Sequence, residues 1–352
     1  MKKVKVVHLI PEDGLGGAET AAREMACRDD LPCDFHLLSL GGESLAPERP
    51  NIHALRYRRY LNPIAQVRGV REVLRLEPDV LICSLWKTIP VAIAAKLFRP
   101  RMKLVAFFHS TERVHAIDRL LHGIATRFAD EVWTDSNATL AEVGKGGALP
   151  NARTISYILA QPGQHPRDRD PQPKFVSWSR IHHHKGIDRS IDLISRLVER
   201  GVDARFDLWG PDQGPKAGLE RLAKQLQVAD RISFHGSFSR ADIGALAADG
   251  SFLLLLSRLE GMAMVVVEAM QLGLVPVVTP VGEIASYCRD GENALIVDID
   301  NLDAAADRIK ELLSDPERYR RMSQAARDEW RSSRLYADDV CAAAIGLAGR
   351  RA

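Results

Sequence analysis

The sequence predicts an α/β protein made of two parallel-sheet domains, and three observations lead there. Short apolar runs alternate with segments of helical periodicity along most of the chain, the pattern of strands joined by crossover helices. That rhythm breaks once, over residues 161–173, where four prolines and several charges stand without any periodic apolar pattern. At 352 residues the chain is also too long for one ordinary core and suits two domains of about 150–200 residues each. The expected division is a first domain over 1–160, a linker over 161–173 and a second domain over 174–334.

In the first half, strands are expected over residues 4–10, 34–38, 80–83, 104–108 and 131–134. Helices are expected near 18–27, 64–76, 91–98, 117–128 and 138–143. After the linker the strands restart at 174–179, 205–208, 231–234, 251–256, 275–279 and 294–297, and beyond Asn301 only helical signals remain. The two halves share this architecture but no residue-level repeat.

Bulk properties narrow the function classes. Hydrophobic content of 46% and charge of 27% are those of a globular enzyme. A net charge of +2 gives no global reason to expect a nucleic-acid partner. Five cysteines, odd in number and without a C-x2-C pair, read as reduced, mostly buried thiols in a cytosolic protein. No apolar stretch approaches 18 residues, and Met1-Lys2-Lys3 leads directly into a strand without a cleavage site. Neither secretion nor membrane spanning is expected, and the expected location is cytoplasmic.

Residues 257–273 say most about function. The unbroken apolar run 251–256 reads as a buried parallel strand. Glu260 and Gly261 break the pattern, and residues 265–272 read as a short helix closed by Gly273 after its C-cap. A helix start at the carboxyl end of a strand offers unpaired N–H groups to a phosphate. Glu268 lies about one turn inside that helix, and a carboxylate holds vicinal hydroxyls by accepting two hydrogen bonds. The pairing suggests a nucleotide diphosphate with a sugar at each end.

Arg180 and Lys185 follow the first strand of the second half. Two fixed cations beside a leaving diphosphate favour the transition state over the ground state, Arg by forking onto two oxygens and Lys as a point charge. The bland alternative is a pair of solvated surface cations. The run His182-His183-His184 lacks the i, i+4 geometry of helical zinc sites, so no metal is expected there. Of the two Asp-x-Asp pairs, Asp168 and Asp170 lie in the linker, and Asp298 and Asp300 lie in a turn before a helix, where Asp caps.

The first half carries weaker signals. Residues 11–19 form a Gly-rich turn after the first strand, and Gly16 and Gly17 let a backbone approach a ligand closely. Glu19 occupies the third glycine of a nicotinamide fingerprint, which speaks against a dinucleotide cofactor. His109 ends the strand 104–108. Arg56, Arg58, Arg59, Arg68, Arg71 and Arg75, interleaved with Tyr57 and Tyr60, form a basic stretch relieved only by Glu72. Two readings stay open for it: an anionic membrane surface, at about 1 kcal/mol per cation, or a solvated helix face.

The E-x7-E spacing of Glu260 and Glu268, with Gly261 between, resembles the signature of family-4 retaining glycosyltransferases of the GT-B fold. Other pieces fall in that family's order: Arg180 with Lys185-Gly186, Leu208-Trp209-Gly210, Phe234-His235-Gly236, Ala248-Asp249, Pro276-Val277-Val278-Thr279 and Gly282-Glu283. Asp290-Gly291-Glu292-Asn293-Ala294 resembles the D-G-x-x-G turn with Ala294 where Gly is usual. Ser179 stands where Gly is usual before the Arg, Leu256 where Pro commonly precedes Ser257, and Ala263 where the family varies. The match is close over 174–300 and looser over the first 160 residues.

The resemblance implies two Rossmann-like domains facing a central cleft. The first is an acceptor domain, joined by a C-terminal helix over 335–352 that crosses back to it, and the second binds the donor. It implies a nucleotide-diphosphate sugar as donor, a glycan or lipid-linked hydroxyl as acceptor, and no metal or other cofactor. The implied catalytic set is Arg180, Lys185, Glu260 and His109. The implied donor-binding set is Gly16, Gly17, Gly210, Phe234, His235, Gly261, Met262, Ala263, Met264 and Glu268. Glu260 positions the transferred sugar, Glu268 holds ribose, and residues 234–236 line the base. A lipid-linked acceptor would suit contact of the basic stretch from Arg56 to Arg75 with the inner face of a membrane. Rival readings are a nucleotide-sugar epimerase or hydrolase of the same fold and a non-catalytic nucleotide-sugar-binding protein. The base, the sugar, the acceptor and the oligomeric state are not legible.

Overall fold

A computed structural model describes residues 3–14, 16–42, 45–59, 61–109, 116–145, 147, 149, 151–161 and 170–350. Tyr60, Leu15 of the Gly-rich turn and residues 162–169 of the expected linker, Asp168 among them, lie outside the described residues. The chain divides into two compact units, residues 1–159 with 334–352 and residues 160–333.

In the first unit the strands are β1 (Lys5–Glu12), β2 (Asp34–Gly41), β3 (Ile52–Tyr57), β4 (Val80–Ser84), β5 (Lys103–Phe108), β6 (Glu131–Thr134) and β7 (Ala152–Thr154). The helices are α1 (Gly17–Ala26), α2 (Pro63–Leu76), α3 (Ile89–Phe98), α4 (Ala116–Phe128) and α5 (Asn137–Gly144). In the second unit the strands are β8 (Lys174–Trp178), β9 (Arg205–Trp209), β10 (Ile232–Phe234), β11 (Phe252–Leu255), β12 (Val275–Val278) and β13 (Leu295–Ile296). Its helices are α6 (Ile187–Glu199), α7 (Lys216–Gln225), α8 (Ile243–Leu246), α9 (Met264–Gln271), α10 (Ile284–Tyr287), α11 (Leu302–Leu313) and α12 (Pro316–Glu329). The last helix, α13 (Tyr336–Gly349), belongs to the first unit.

All strand pairs are parallel, in the orders β3-β2-β1-β4-β5-β6-β7 and β10-β9-β8-β11-β12-β13. Both are doubly wound. The winding reverses between β1 and β4 in the first sheet and between β8 and β11 in the second. Such a reversal splays the flanking loops apart and opens a crevice at the carboxyl ends of the strands.

Side-chain alternation puts Val7, Leu9, Leu81, Cys83, Leu104, Ala106 and Phe108 on one face of the first sheet, with Val73 of α2 and Ala92 of α3 in the same core. On the other face Phe107 stacks on Tyr336 of α13, with ring centres 6.4 Å apart. In the second unit β8, β9, β11 and β12 supply Phe175, Phe206, Phe252, Leu254 and Val277 to a core shared with Ile191 and Ile194 of α6 and Ile309 of α11. Helix starts follow local chemistry. Asn62 caps α2 by accepting from the Ile64 N–H at 2.9 Å, with Pro63 at the first position.

Three differences from expectation have physical causes. β3 leaves no strand signal in the sequence because its residues, IHALRY, mix apolar and basic positions without a buried run. β7 spans three half-buried residues, too few to leave a pattern. The reading of five reduced thiols is corrected: Cys33 and Cys341 form a disulfide, while Cys27, Cys83 and Cys288 are free. The return of α13 to the first unit joins cysteines 308 positions apart, a proximity no local spacing can reveal. Among the described residues no helix is long and apolar enough to cross a membrane.

Candidate functional site

In the second unit three loops meet at the switch point. The loop after β8 runs through Arg180 and a tight turn over His183–Lys185 to Gly186, whose φ of 60° starts α6 from the left-handed region. A Cβ at Gly186 would overlap the Leu256 carbonyl of the loop after β11. In the loop after β12, Gly282 has φ of 59°, and a Cβ there would overlap the Glu260 carbonyl. Only glycine lets these backbones cross so closely.

Those crossings bring Lys185 onto Glu260. The ammonium donates to both carboxylate oxygens, at 2.7 and 3.0 Å, and the Ser257 hydroxyl donates to Oε1 at 2.6 Å. Thr279 Oγ1 in turn donates to the Ser257 carbonyl at 2.6 Å. Glu260 is only 8% exposed, so its charge depends on these donors. Arg180 is exposed and reaches Gln213 Oε1 at 3.4 Å; among the described residues no carboxylate pairs with it. Arg258 forks onto Asp188 at 2.8 and 2.6 Å, tying the β11 loop to the first turn of α6. Hydrogen bonding from that guanidinium holds the Asp188 carboxyl below its usual range.

Helix α9 starts at this end of the sheet. Ala263 takes a left-handed conformation, with φ of 56°. The carbonyls of Gly261 and Met262 accept from the Glu283 N–H at 3.0 Å and the Tyr287 hydroxyl at 2.9 Å. Those two bonds fix the turn that precedes Met264. One turn in, Glu268 accepts from the Trp178 indole at 2.6 Å through Oε2 and pairs with Arg240 through Oε1. Each oxygen has a further lone pair for a ligand hydroxyl.

Along the neighbouring edge, His235 stacks on Trp209 with ring centres 4.6 Å apart and bonds Asp207 at 3.0 Å. Phe234 lies under Lys216, whose Nζ is 5.8 Å from the ring centre. The Gly210 N–H donates to the Gly236 carbonyl at 2.5 Å. That amide is therefore committed to the protein, and a Cβ at Gly210 would overlap the Ser179 carbonyl. His182, His183 and His184 lie in the loop before α6, and the His182 ring accepts from the His184 N–H at 3.3 Å. Among the described residues no group of three or more metal-ligating side chains is placed to hold an ion.

In the first unit, Gly16 caps α1 with extended backbone and Gly17 is its first residue. Arg23 pins the turn before them, bonding Asp13 at 2.5 Å and the Gly14 carbonyl at 3.0 Å, while Asp13 also accepts from the Ala46 N–H at 2.7 Å. His109 follows β5, half-buried, with its ring centre 4.2 Å from that of Phe107 and its Nε2 2.8 Å from Ser84 Oγ. Burial pushes the His109 pKa well below its ordinary value, and the neighbouring His8 adds to the effect. In the basic stretch, Arg68, Arg71 and Arg75 lie on the exposed side of α2 beside Ile64, 61% exposed, and Val67, 52% exposed. Arg75 pairs with Glu72.

The expected site residues therefore fall into one group per unit. Gly16, Gly17 and His109 are in the first; Arg180, Lys185, Gly210, Phe234, His235, Glu260, Gly261, Met262, Ala263, Met264 and Glu268 are in the second. Sequence reading missed Ser257, Thr279, Trp178 and Arg240. Ser257 stands three residues from Glu260 and was within reach of a local argument. Arg240 gives no spacing signal.

Two units, each a doubly wound parallel sheet with polar loops at its switch point, are the architecture of the GT-B fold. Anabaena HepE, solved in complex with UDP-glucose, has this fold, with a TM-score of 0.77 and 19% identity over 98% of both chains. A glycosyltransferase from Rickettsia africae superposes with a TM-score of 0.78 at 14% identity over the full length of both. Among curated proteins, the alpha-D-kanosaminyltransferase of Streptomyces kanamyceticus is 29% identical over 61% of this chain and 49% of its own. The GDP-mannose:cellobiosyl-diphosphopolyprenol alpha-mannosyltransferase of Xanthomonas campestris is 26% identical over 46% of this chain and 45% of its own. The chain thus spans about half the length of these curated relatives. The Glycosyltransferase Family 4 model matches residues 15–155 and the Glycosyl transferases group 1 model residues 164–329. The chain belongs to the family-4 glycosyltransferases, as its E-x7-E spacing led us to expect.

Proposed function

We propose that this protein moves a sugar from a nucleotide-diphosphate sugar to a hydroxyl acceptor, with retention at the anomeric carbon and without a metal ion. The observation that carries the reading is the Lys185–Glu260–Ser257 cluster at the switch point of the second unit, just before α9 and on the loop that also carries the exposed Arg180.

A departing diphosphate gains negative charge as its bond to the anomeric carbon breaks. Arg180, Lys185 and the amides at the start of α9 answer that charge, and they do so more strongly in the transition state than before it. Lys185 has three donors. It turns one toward the phosphate while Glu260, steadied by Ser257, accepts hydroxyls of the transferred sugar. Glu268 accepts the ribose hydroxyls, and its bonds to Trp178 and Arg240 hold it ready. The acceptor oxygen enters on the face the diphosphate leaves. Its proton passes to the departing β-phosphate oxygen, so no protein nucleophile is required. Within the first unit, His109 at the end of β5 is the candidate contact to a sugar hydroxyl.

A lipid-linked glycan acceptor suits the first unit, because Ile64 and Val67 stand among arginines on the open side of α2. That face would rest on an anionic membrane. The Xanthomonas relative is a GDP-mannose:cellobiosyl-diphosphopolyprenol alpha-mannosyltransferase, and its lipid-linked glycan favours the same class here.

The test is a thermal-shift and turnover screen with UDP-, GDP- and ADP-sugars, run with and without EDTA. One donor is expected to raise Tm, and nucleoside diphosphate release is expected to require an acceptor and to survive EDTA. Stabilisation by NADH and by none of the diphosphates would overturn the proposal. Equal release without acceptor would make the protein a hydrolase, and conversion of the donor to an isomeric nucleotide sugar would make it an epimerase.

A further inference from the structure

Two helices of the first unit are more apolar than their packing requires. Helix α3 packs between α2 and α4, and the three cover one face of the first sheet. A helix lying on a sheet needs one apolar stripe, turned inward. α3 meets that need with Val91, Ala92 and Ala95, and α4 with Leu121 and Ala125. Both helices also carry apolar groups on their outer side. Leu97 and Phe98 end α3, 66% and 73% exposed. On α4, Leu120, Ile124 and Phe128 recur at helical spacing, and Leu120 is 63% exposed.

The exposed charges beside these groups are of one sign. α3 contains no acidic residue, and the one acid of α4, Asp118, is buried against His122 at 2.6 Å. Arg101, Arg119 and Arg127, in or just after these helices, are exposed, as are Arg68 and Arg71 on the adjoining α2. Apolar side chains set among cations complement an anionic lipid surface. Guanidinium groups meet the phosphates while the apolar groups enter the boundary between headgroups and acyl chains. A second copy laid on this face by a two-fold axis would instead bring arginine against arginine. With 10 residues in α3 and 13 in α4, neither helix can span a bilayer, so both would lie in its plane.

We propose that α3 and α4 form a shallow lipid anchor, with Leu97, Phe98, Leu120 and Phe128 inserted at the headgroup–acyl boundary of an anionic bilayer. The proposal rests on and deepens the lipid contact given above for α2. The contact on α2 acts chiefly by charge, whereas the anchor adds an apolar component that salt does not screen.

The full chain is sedimented with vesicles of phosphatidylcholine and phosphatidylserine at low salt and at ~1 M salt, where screening leaves charges a reach of ~3 Å. Part of the binding is expected to survive the high salt. Leu97→Asp with Leu120→Asp is expected to weaken that part roughly 30- to 100-fold, with Tm unchanged because both side chains are exposed. Ile299→Asp, at an exposed position of the second unit, is expected to leave it intact. Complete release of the wild type by salt, equal binding of the double variant, or no binding at all would overturn the proposal. So would a wild-type dimer in sedimentation velocity that the double variant dissociates, because the face would then belong to a second copy. The vesicle assay uses neither donor nor acceptor. A failed anchor therefore shows there, and a failed transferase reading shows in the turnover screen.

Discussion

At the switch point of the second unit the loops carry paired charges: Lys185 with Glu260, Arg240 with Glu268, Arg258 with Asp188. In the first unit the loop after β1 carries one such pair, Arg23 with Asp13, but the ends of β4 and β5 carry the neutral groups Ser84 and His109, backed by His8 and aromatic rings. The strand order is the same up to the sixth strand in both, so topology supplies a crevice but does not decide its chemistry. The loops do. The diphosphate proposed for the second unit needs cations and oriented amides, and carboxylates beside the cations keep them fixed. Sugar hydroxyls need neutral donors and acceptors that bind without a large desolvation cost.

The contrast breaks most visibly at Lys185. Lys185→Ala removes the proposed phosphate donor and leaves the buried Glu260, among the described residues, with the Ser257 hydroxyl as its donor. The expected loss is ~10²–10³ in kcat, with a fall in Tm that Lys185→Arg largely avoids. Wild-type turnover in Lys185→Ala would end the assignment of charge chemistry to the second unit. Glu268→Ala comes next. It deletes the acceptor proposed for ribose, and a charged hydrogen bond is worth about 1.5–3 kcal/mol. Donor affinity is expected to weaken by roughly 10- to 100-fold, seen as a raised KM at little change in kcat.

How much of this was legible follows from the range of each contact. Glu260, Gly261 and Glu268 lie within nine residues of chain, and a strand, a loop and a helix start in that order give their placement locally. The R-x4-K-G spacing likewise keeps Arg180 and Lys185 on one loop. The partners that set the charges are not local: Trp178 is 90 positions from Glu268, Arg240 is 28, and Lys185 is 75 from Glu260. The sheet order brings them together, and no single window of sequence contains it. His109 was legible as a strand end, but His8 was hidden inside an apolar run that reads as core, 76 positions from the Ser84 hydroxyl it meets. Cys33 and Cys341 escaped for the same reason.

A smaller effect tests the outer surface of the first unit. Arg68 and Arg71 on α2 are exposed. If they rest on anionic lipid, each is worth about 1 kcal/mol there, or about fivefold in partitioning. Arg68→Glu with Arg71→Glu is expected to cut binding to phosphatidylserine vesicles at low salt at least 20-fold. Activity toward a water-soluble acceptor is expected to hold. Equal binding of the double variant would leave α2 a solvated face.

A further effect lies in pH dependence, and it separates the two units again. His8 is pushed by burial from its ordinary value to about 3 in the folded protein. The unfolded chain therefore binds a proton that the folded one refuses between those values. The stability contributed by the neutral ring is fully present above about pH 6.5 and is lost progressively as pH falls toward 3. His8→Phe removes that titration while filling the same space beside Phe35 and Phe107. The Tm difference between wild type and His8→Phe is thus expected to move in the variant's favour as pH drops from 7 to 4. The ion pairs of the second unit are common to both proteins and cancel in the difference. A Tm difference that stays flat over that range would mean that His8 can take up a proton in the folded state, and the neutral chain through Ser84 would have to be redrawn.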